Sequence, residues 1–290
     1  SFWIQPGKMT FPWWANFDSG IDGVAPGNTF ETGKAFIDFA AAHGIRYHVV
    51  EPHWYQTSGT NQDGGQGPEN SDPLKPLDDI RIHDLIEYAN AKGVGIFLWI
   101  HKSLLEENPD AIMRTYKSWG AVGMKVDFFD RLDQETVELY HSLAEKAAAH
   151  ELMLFYHGAY TPTGIRRTWP NLVTREAVMG NEYNKWSDRV TLEQGVTIPF
   201  TRMVPGPMDY TPGGFRNVMP EDFAQNRAQP MVMGTRSREL AKFVVYDSPI
   251  QMVCDAPGTY IGQPGVDFLA LVPTTWEATL PLQGKIGEHI

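Results

Sequence analysis

The chain contains the stretch Gly123-Met124-Lys125-Val126-Asp127-Phe128-Phe129-Asp130, in which apolar and charged residues alternate. Apolar side chains at every second position predict a short β-strand with one buried face. Lys125 and Asp127 are two residues apart, so in a strand their side chains lie on the same face. At the C-terminal end of a strand in a (β/α)8 barrel, such a pair points into the active-site mouth, where the cation keeps the carboxylate ionised. A structural ion pair at a strand end explains the same pattern equally well.

Around this stretch, strand-like and helix-like segments alternate along the chain, which indicates parallel strands joined by helices. Strands are predicted at 45–50, 94–100, 121–128, 152–156 and 172–174, and helices at 28–44, 82–92, 109–119 and 134–150. No Gly-x-Gly-x-x-Gly follows an early strand, which argues against a dinucleotide-binding sheet. We therefore predict an α/β protein, a single-domain (β/α)8 TIM barrel over residues 1–290.

The remaining segments are less regular. Residues 11–18 are expected to form a strand that closes on a loop. Segments 199–208 and 251–254 are the candidates for strands seven and eight, with a helix at 237–246 between them. The polar segment 56–79 is long for a connection in a compact domain, so we expect it to be functional or mobile.

Composition narrows the class of partner. The chain has 24 Lys and Arg against 35 Asp and Glu, a net charge of -11, which argues against a nucleic-acid partner. A neutral substrate or a bound cation suits this balance better, although a soluble acidic surface explains it too. No apolar run approaches a membrane span, so we expect no membrane partner. Cys254 is the single cysteine, which excludes an intrachain disulfide.

Polar side chains follow almost every predicted strand. They are Asp18, Glu51, His53, His101, Lys102, Lys125, Asp127, His157, Arg175, Glu176 and Asp255. In a barrel these strand ends converge on one pocket, which favours an enzyme, although any single histidine is more often structural. Several carboxylates without a Ser or Cys nucleophile motif suggest glycoside hydrolysis.

Two other functions fit the same residues. The first is a metal-dependent barrel lyase or isomerase that uses Glu51, Asp127 and His157 as ligands. The second is a sugar-binding or scaffold barrel that lacks turnover because partner domains complete its site. A second cluster, at 174–186, carries Glu176 and Glu182 six residues apart. It fits a catalytic acid with a metal ligand, or a solvated loop with salt bridges.

Longer motifs carry a resemblance to a known family. They include His157-Gly158-Ala159-Tyr160, Thr174-Arg175-Glu176, Glu182-Tyr183-Asn184-Lys185-Trp186 and Gly206-Pro207-Met208-Asp209-Tyr210-Thr211-Pro212-Gly213. Together with Lys125-Val126-Asp127-Phe128 they resemble glycoside hydrolase family 97, in its retaining, α-galactosidase-like branch. The resemblance covers nearly the whole chain. It implies the family's central (β/α)8 catalytic barrel, without the N-terminal β-sandwich and C-terminal β-domain that the family's enzymes also carry.

The resemblance also implies roles for individual residues. Asp127 matches the nucleophile of the retaining branch, and Glu182 matches the general acid/base. Glu182, Glu193 and Glu176 are expected to bind calcium, and the family draws a further calcium ligand from its N-terminal domain, so we expect weak calcium binding here. The side chains expected to contact substrate are Lys125, His157, Glu51, Trp54 and His101.

The function implied is that of a retaining, exo-acting α-glycosidase. An α-galactosidase is favoured over an α-glucosidase, acting on terminal α-galactosides or oligosaccharides by double displacement. The family resemblance further implies a periplasmic or secreted location in the bacterial parent protein. Apolar surface that faces the neighbouring domains in the family is expected to favour self-association.

Overall fold

The computed structural model of the protein describes residues 2–57 and 71–290. In chain order, the strands are β1 (Gly7–Thr10), β2 (Tyr47–Val50), β3 (Tyr55–Thr57), β4 (Ser71–Pro76), β5 (Gly95–His101), β6 (Gly123–Asp127), β7 (Met153–Tyr156), β8 (Leu172–Arg175), β9 (Asn217–Val218), β10 (Val232–Met233) and β11 (Ile250–Val253). Seven of them form one sheet in the order β11-β1-β2-β5-β6-β7-β8, and every neighbouring pair in it is parallel.

Helices connect these strands. They are α1 (Phe30–Ala42), α2 (Ile82–Ala91), α3 (Lys102–Glu107), α4 (Pro109–Trp119), α5 (Gln134–Ala149), α6 (Leu192–Thr197), α7 (Arg236–Val245), α8 (Pro257–Tyr260) and α9 (Val266–Leu271). The predicted helices correspond to α1, α2, α4, α5 and α7. Thr29 caps α1 by accepting a hydrogen bond from the Thr32 N–H, as a threonine at that position should. Among the described residues, no helix is both long and apolar enough to cross a membrane.

Residues 208–212, which have no regular secondary structure, take the place of an eighth strand. The Asp209 N–H donates to the Arg175 carbonyl at the end of β8, at 2.8 Å. The Cys254 N–H, just after β11, donates to the Pro212 carbonyl at 3.1 Å. The segment thus joins both edges of the seven-stranded sheet, and the predicted (β/α)8 barrel is confirmed as a nearly closed one.

Two predicted strands are wrong. Residues 199–208 form a short 3-10 helix and turns instead, because the prolines in this segment have no N–H to give to a sheet. Residues 12–17 form turns after β1, and Asn16 and Phe17 adopt left-handed backbone angles that no strand permits. In the polar segment 56–79, β3 and β4 pair as an antiparallel hairpin. Residues 58–70 of that prediction lie outside the described residues.

Two layers of apolar side chains follow the pleat of the strands. Leu98, Val126 and Leu154 belong to the cluster that packs under the helices. Phe97 and Phe155 belong to the cluster inside the barrel, where their rings meet at 5.9 Å across β6. Because neighbours in a strand point to opposite faces, Lys125 and Asp127 share the interior face.

The absence of a side chain at Gly123 leaves room for the Phe97 ring inside the barrel. A Cβ at Gly123 would lie 2.3 Å from Cε1 of Phe97 and 2.7 Å from the Met153 carbonyl oxygen. We expect Gly123→Ala to lower the free energy of unfolding by about 1–3 kcal/mol, the usual effect of overpacking. Urea denaturation measures it, with the exposed Glu145→Ala as a control expected to stay within about 0.5 kcal/mol of the wild type. An unchanged midpoint for Gly123→Ala would contradict this account of the packing.

Candidate active site

A cavity of about 690 Å³ lies at the C-terminal ends of the parallel strands. Its ionisable lining comprises Glu51, His53, Lys125, Asp127, Asp130, His157, Glu176, Glu182 and Arg227. Aromatic side chains from Trp13, Phe128, Tyr183 and Trp186 complete the wall. The convergence predicted for the strand ends is therefore present for most of these residues, and it extends to the loop that follows β8.

Lys125 is a fully buried cation at the base of this cavity. Its Nζ donates to Oε1 of Glu51 at 2.9 Å and lies 4.0 Å from Oε1 of Glu182. Burial lowers the pKa of Lys125, but the attraction of Glu51, Glu182 and Asp127 outweighs burial and raises that pKa above 10.5. Burial raises the pKa of Glu51 to about 7 in spite of Lys125. The sequence predicted Asp127 as the ionic partner of Lys125, but among the described residues the ion pairs of Lys125 within 4.0 Å are with Glu51 and Glu182.

Asp127 is held in a fixed orientation by two donors. Its Oδ1 accepts from the Phe128 N–H at 2.7 Å, and its Oδ2 accepts from the indole Nε1 of Trp99 at 3.0 Å. Phe128 has a φ of 64°, a left-handed conformation that is strained for a bulky residue. Backbone strain of this kind is common where a fold fixes a functional side chain. Both oxygens of Asp127 act as acceptors, which is the role of an ionised carboxylate.

Glu182 lies on a short 3-10 helix, Asn181–Lys185, above the strand ends. Its Oε1 is 4.0 Å from Lys125 Nζ and 4.0 Å from His157 Nδ1. Burial raises the pKa of Glu182, and the nearby Asp209 and Asp127 charges add to the increase, while His157 and Lys125 oppose it. Two acids of the same cavity, Asp127 and Glu182, thus sit in different environments.

His157 is a buried cation that faces three acids. Its Nε2 donates to Oδ2 of Asp209 at 2.6 Å, and its Nδ1 lies 3.8 Å from Glu176. Burial and Lys125 lower the pKa of His157. The attraction of Glu176, Glu182 and Asp209 outweighs both effects and raises the pKa to about 10. Asp209 was not among the predicted site residues, although it stands inside the motif Met208-Asp209-Tyr210, which resembles the family.

Three of these residues form a group that can hold a metal ion. His157, Glu176 and Glu182 each offer one ligand atom, and the three atoms lie within 4.8 Å of one another. Burial raises the pKa of Glu176 to about 7, and its Oε2 accepts from the Gly158 N–H at 2.9 Å. The structure corrects the placement of Glu193, which is exposed in the first turn of α6 and does not join this group.

The structure also does not bring two predicted substrate contacts into the cavity. Trp54 is completely buried, and its indole N–H donates to the Trp99 carbonyl at 2.8 Å, so it is a core residue. His101 is the last residue of β5, directly before α3, where its Nδ1 accepts from the Ser103 N–H and so caps the helix. Its ring stacks on the ring of Phe128 at 5.2 Å, outside the cavity lining.

Aromatic residues at the rim of the cavity were missed from the sequence. Trp13 and Trp186 make an edge-on contact at 6.0 Å, and Arg227 lies 5.8 Å from the Trp186 ring. The high tryptophan content was the available signal, but a tryptophan count does not separate rim positions from core positions such as Trp54.

The comparisons with known proteins agree with this geometry. The family model described as Glycoside hydrolase 97 matches residues 13–178, more than half of the chain. The chain belongs to glycoside hydrolase family 97. The chain is 39% identical to a "Retaining alpha-galactosidase" of Bacteroides thetaiotaomicron and 34% identical to a "Probable retaining alpha-galactosidase" of Streptomyces bingchenggensis. The matches cover 99% of the chain but only 42% and 41% of these relatives, so the chain spans less than half of their length.

Solved structures of the same family share the fold. A family 97 enzyme from Pseudoalteromonas sp. strain K8, solved in complex with panose, superposes with a TM-score of 0.82 at 28% identity. The match covers 98% of the chain and 46% of that enzyme. A structure named as a beta-arabinopyranosidase has a TM-score of 0.78 at 27% identity, over 98% of the chain and 44% of that protein. These similarities confirm the family and the fold, and they do not favour the lyase or isomerase alternative.

The buried ionisable groups predict how stability depends on pH. Folded Glu51 and Glu176 keep protons up to a pKa of about 7, whereas the unfolded chain releases them near 4.5. Their contribution is present below pH 4.5 and is lost as the pH rises through 7. The contribution of His157 is complete below pH 6.5 and is lost as the pH rises through its folded pKa of about 10.

We therefore expect the free energy of unfolding to fall as the pH rises across both windows. Urea denaturation at a series of pH values measures it. Glu51→Gln should flatten the lower window, and Asp209→Asn should flatten the upper one, because the hydrogen bond from His157 to Asp209 is weakened. A wild-type stability that rises between pH 7 and 10, with no difference in Asp209→Asn, would contradict the assignment of a charged His157.

Proposed function

We propose that this barrel hydrolyses terminal α-galactosides with retention of configuration, as an exo-acting α-galactosidase. The observation that carries the proposal is the pair Asp127 and Glu182, which line one cavity in different surroundings. Asp127 accepts from two N–H donors, whereas the pKa of Glu182 is raised by burial. Retaining glycoside hydrolysis requires such a pair, one carboxylate to attack and one carboxylic acid to donate. The names of the relatives at 39% and 34% identity support the same reaction.

In the first step, an oxygen of Asp127 attacks the anomeric carbon. The bond between that carbon and the leaving oxygen breaks, and protonated Glu182 gives its proton to the leaving oxygen. The product of this step is a β-glycosyl ester on Asp127. The retaining mechanism predicts a separation of about 5–5.5 Å between the two carboxyl groups.

In the second step, Glu182 acts as a base. It takes a proton from water, the water oxygen bonds to the anomeric carbon, and the ester bond to Asp127 breaks. Two displacements at one carbon return the α-configured sugar and restore both carboxyl groups. Lys125, Glu51 and His157 line the same cavity, and we propose that they bind sugar hydroxyls.

We also propose that Glu176 and Glu182 hold a calcium ion in this cavity. Carboxylate oxygens are the donors that calcium prefers, which suits this pair. His157 fits as a neighbour rather than a ligand, because its pKa is raised to about 10 and a protonated imidazole has no lone pair for the ion. Calcium takes six to eight oxygens, so two carboxylates of this chain make a weak site. A bound cation organises the carboxylates and sugar hydroxyls around it.

Removing the nucleophile tests the mechanism. We expect Asp127→Ala to abolish release of galactose from an aryl α-galactoside, and azide to restore turnover with a β-galactosyl azide product, because the small anion replaces the missing carboxylate. Asp267→Ala, an exposed acid on α9, is the control and should keep activity without a response to azide. Product configuration is read by NMR.

Other outcomes of this experiment separate the alternatives. An α-configured azide product would indicate inversion, and undiminished activity would remove Asp127 from the mechanism. Galactose binding by a wild-type chain that hydrolyses neither the aryl α-galactoside nor the matching α-glucoside would favour a sugar-binding barrel. Faster hydrolysis of the α-glucoside would keep the mechanism and change the substrate.

Calcium binding should depend on protonation of its ligands. Because burial raises the pKa of Glu176 to about 7, protons compete with the cation below that pH. We expect calorimetric titration to give weak binding that strengthens as the pH rises through 7, and Glu176→Gln to weaken it further. Glu193→Gln is the matched control and should leave binding unchanged. Sub-micromolar, pH-independent affinity in this chain would overturn the proposed ligand set.

A further inference from the structure

A second cavity, of about 200 Å³, lies beside β8 and shares no lining residue with the candidate active site. Its walls come from β8, from residues 162–167 and from residues 205–207. Arg166, Arg167 and Arg175 line it, and no carboxylate does. We call this cavity the arginine pocket. It is unusual in a chain whose net charge is -11.

The arginines of this pocket have no close acidic partner. Within residues 2–57 and 71–290, no carboxylate oxygen lies within 4.0 Å of the guanidinium groups of Arg166, Arg167 or Arg175; the ion pairs found involve other residues. Asp247 attracts Arg166 only from a greater distance. Arg202 adds a further positive charge behind the wall, where it donates to the Gly206 and Pro207 carbonyls.

A bulge in β8 directs Arg175 toward this pocket. Leu154 pairs with Leu172 and Tyr156 pairs with Arg175, so Val173 is an extra residue on the β8 side. Leu154 and Tyr156 both belong to the cluster outside the sheet, and Arg175 therefore faces outward with them. The Arg175 guanidinium lies 4.2 Å from the Tyr140 ring and 5.5 Å from the Tyr156 ring.

The in-plane donors of these arginines are only partly satisfied. Nη1 of Arg175 donates to the Tyr160 and Thr161 carbonyls at 3.3 and 3.4 Å, both long bonds. Nε and Nη2 of Arg175 and Nε of Arg166 are buried without a hydrogen-bond partner among the described protein atoms. Arg175 is only 2% exposed. The tyrosine rings cover the faces of its guanidinium group but accept none of its in-plane hydrogen bonds.

A buried guanidinium needs a counter-charge. It stays protonated at every relevant pH, and a buried, unpaired charge is costly. Guanidinium groups bind oxyanions through paired N–H···O bonds. The pocket is smaller than the roughly 300 Å³ at which drug-sized ligand sites begin, yet larger than the roughly 30 Å³ that one water occupies. We propose that the arginine pocket binds a small oxyanion of the carboxylate, phosphate or sulfate class.

Titration of the whole chain with inorganic phosphate, in a chloride buffer at constant ionic strength, tests the proposal. We expect saturable one-site binding by calorimetry and an increase in the thermal unfolding temperature, because a ligand of the folded state stabilises it. Arg166→Gln should weaken binding by roughly tenfold or more, since a charge-assisted donor is lost. Arg114→Gln, an exposed arginine on α4, is the control and should bind as the wild type does. Parallel titrations with sulfate and acetate rank the anion classes.

Two results would overturn the proposal. One is the absence of saturable binding of phosphate, sulfate and acetate when sodium chloride is the reference. The other is binding that survives Arg166→Gln but is lost in Arg227→Gln, which would place the anion in the candidate active site. Arg175→Lys keeps the charge and removes the planar fork, so weaker binding in a folded Arg175→Lys chain supports the proposal. If that variant does not fold, Arg166→Gln decides the question, and neither readout depends on hydrolase activity.

Discussion

The buried ammonium group of Lys125 is the interaction on which the candidate active site depends. Five carboxyl groups, those of Glu51, Asp127, Asp130, Glu176 and Glu182, line one cavity, and such a concentration of negative charge repels itself. Lys125 touches Glu51 and lies within 4.0 Å of Glu182. With His157 it supplies two buried positive charges, fewer than the acids that line the cavity. Burial raises the pKa values of Glu51 and Glu176 to about 7 in spite of these two cations, so both acids keep protons up to near neutral pH.

The protonation of these buried acids near neutral pH has a chemical use. Burial that outweighs the nearby cations lets a carboxyl group keep its proton near neutral pH, and general acid catalysis needs a carboxylic acid that is still protonated there. The proton stays with the buried acids, while Asp127 accepts hydrogen bonds from Trp99 and from the backbone of Phe128. The different roles that we propose for Asp127 and Glu182 thus follow from position in the fold rather than from residue type.

Much of the fold was predictable because buried parallel strands read as apolar runs and the helices between them have clear ends. The segment 208–212, which takes the eighth position of the barrel, was not predictable, since the prolines in it and in the segment before it remove the strand pattern. Asp209 lies in this segment and was therefore not predicted as a site residue. A position at the C-terminal end of a strand places a residue near the mouth of the barrel, but it does not determine which way the side chain points. His53 has a φ of 72°, which turns the chain, and the ring of the next residue, Trp54, therefore packs in the core. His101 is committed to capping α3.

The extra residue in β8 has a consequence for how this barrel changes over time. Regular pairing would put neighbouring residues on opposite faces in a fixed order, and the bulge at Val173 reverses that order from Thr174 onward. An arginine is thereby presented to the outside, while Glu176, the next residue, lines the candidate active site. A deletion of one codon here would exchange the two faces in a single event. The length of β8 is therefore constrained from both sides, because an insertion or deletion of one residue would change the arginine pocket and the candidate active site together.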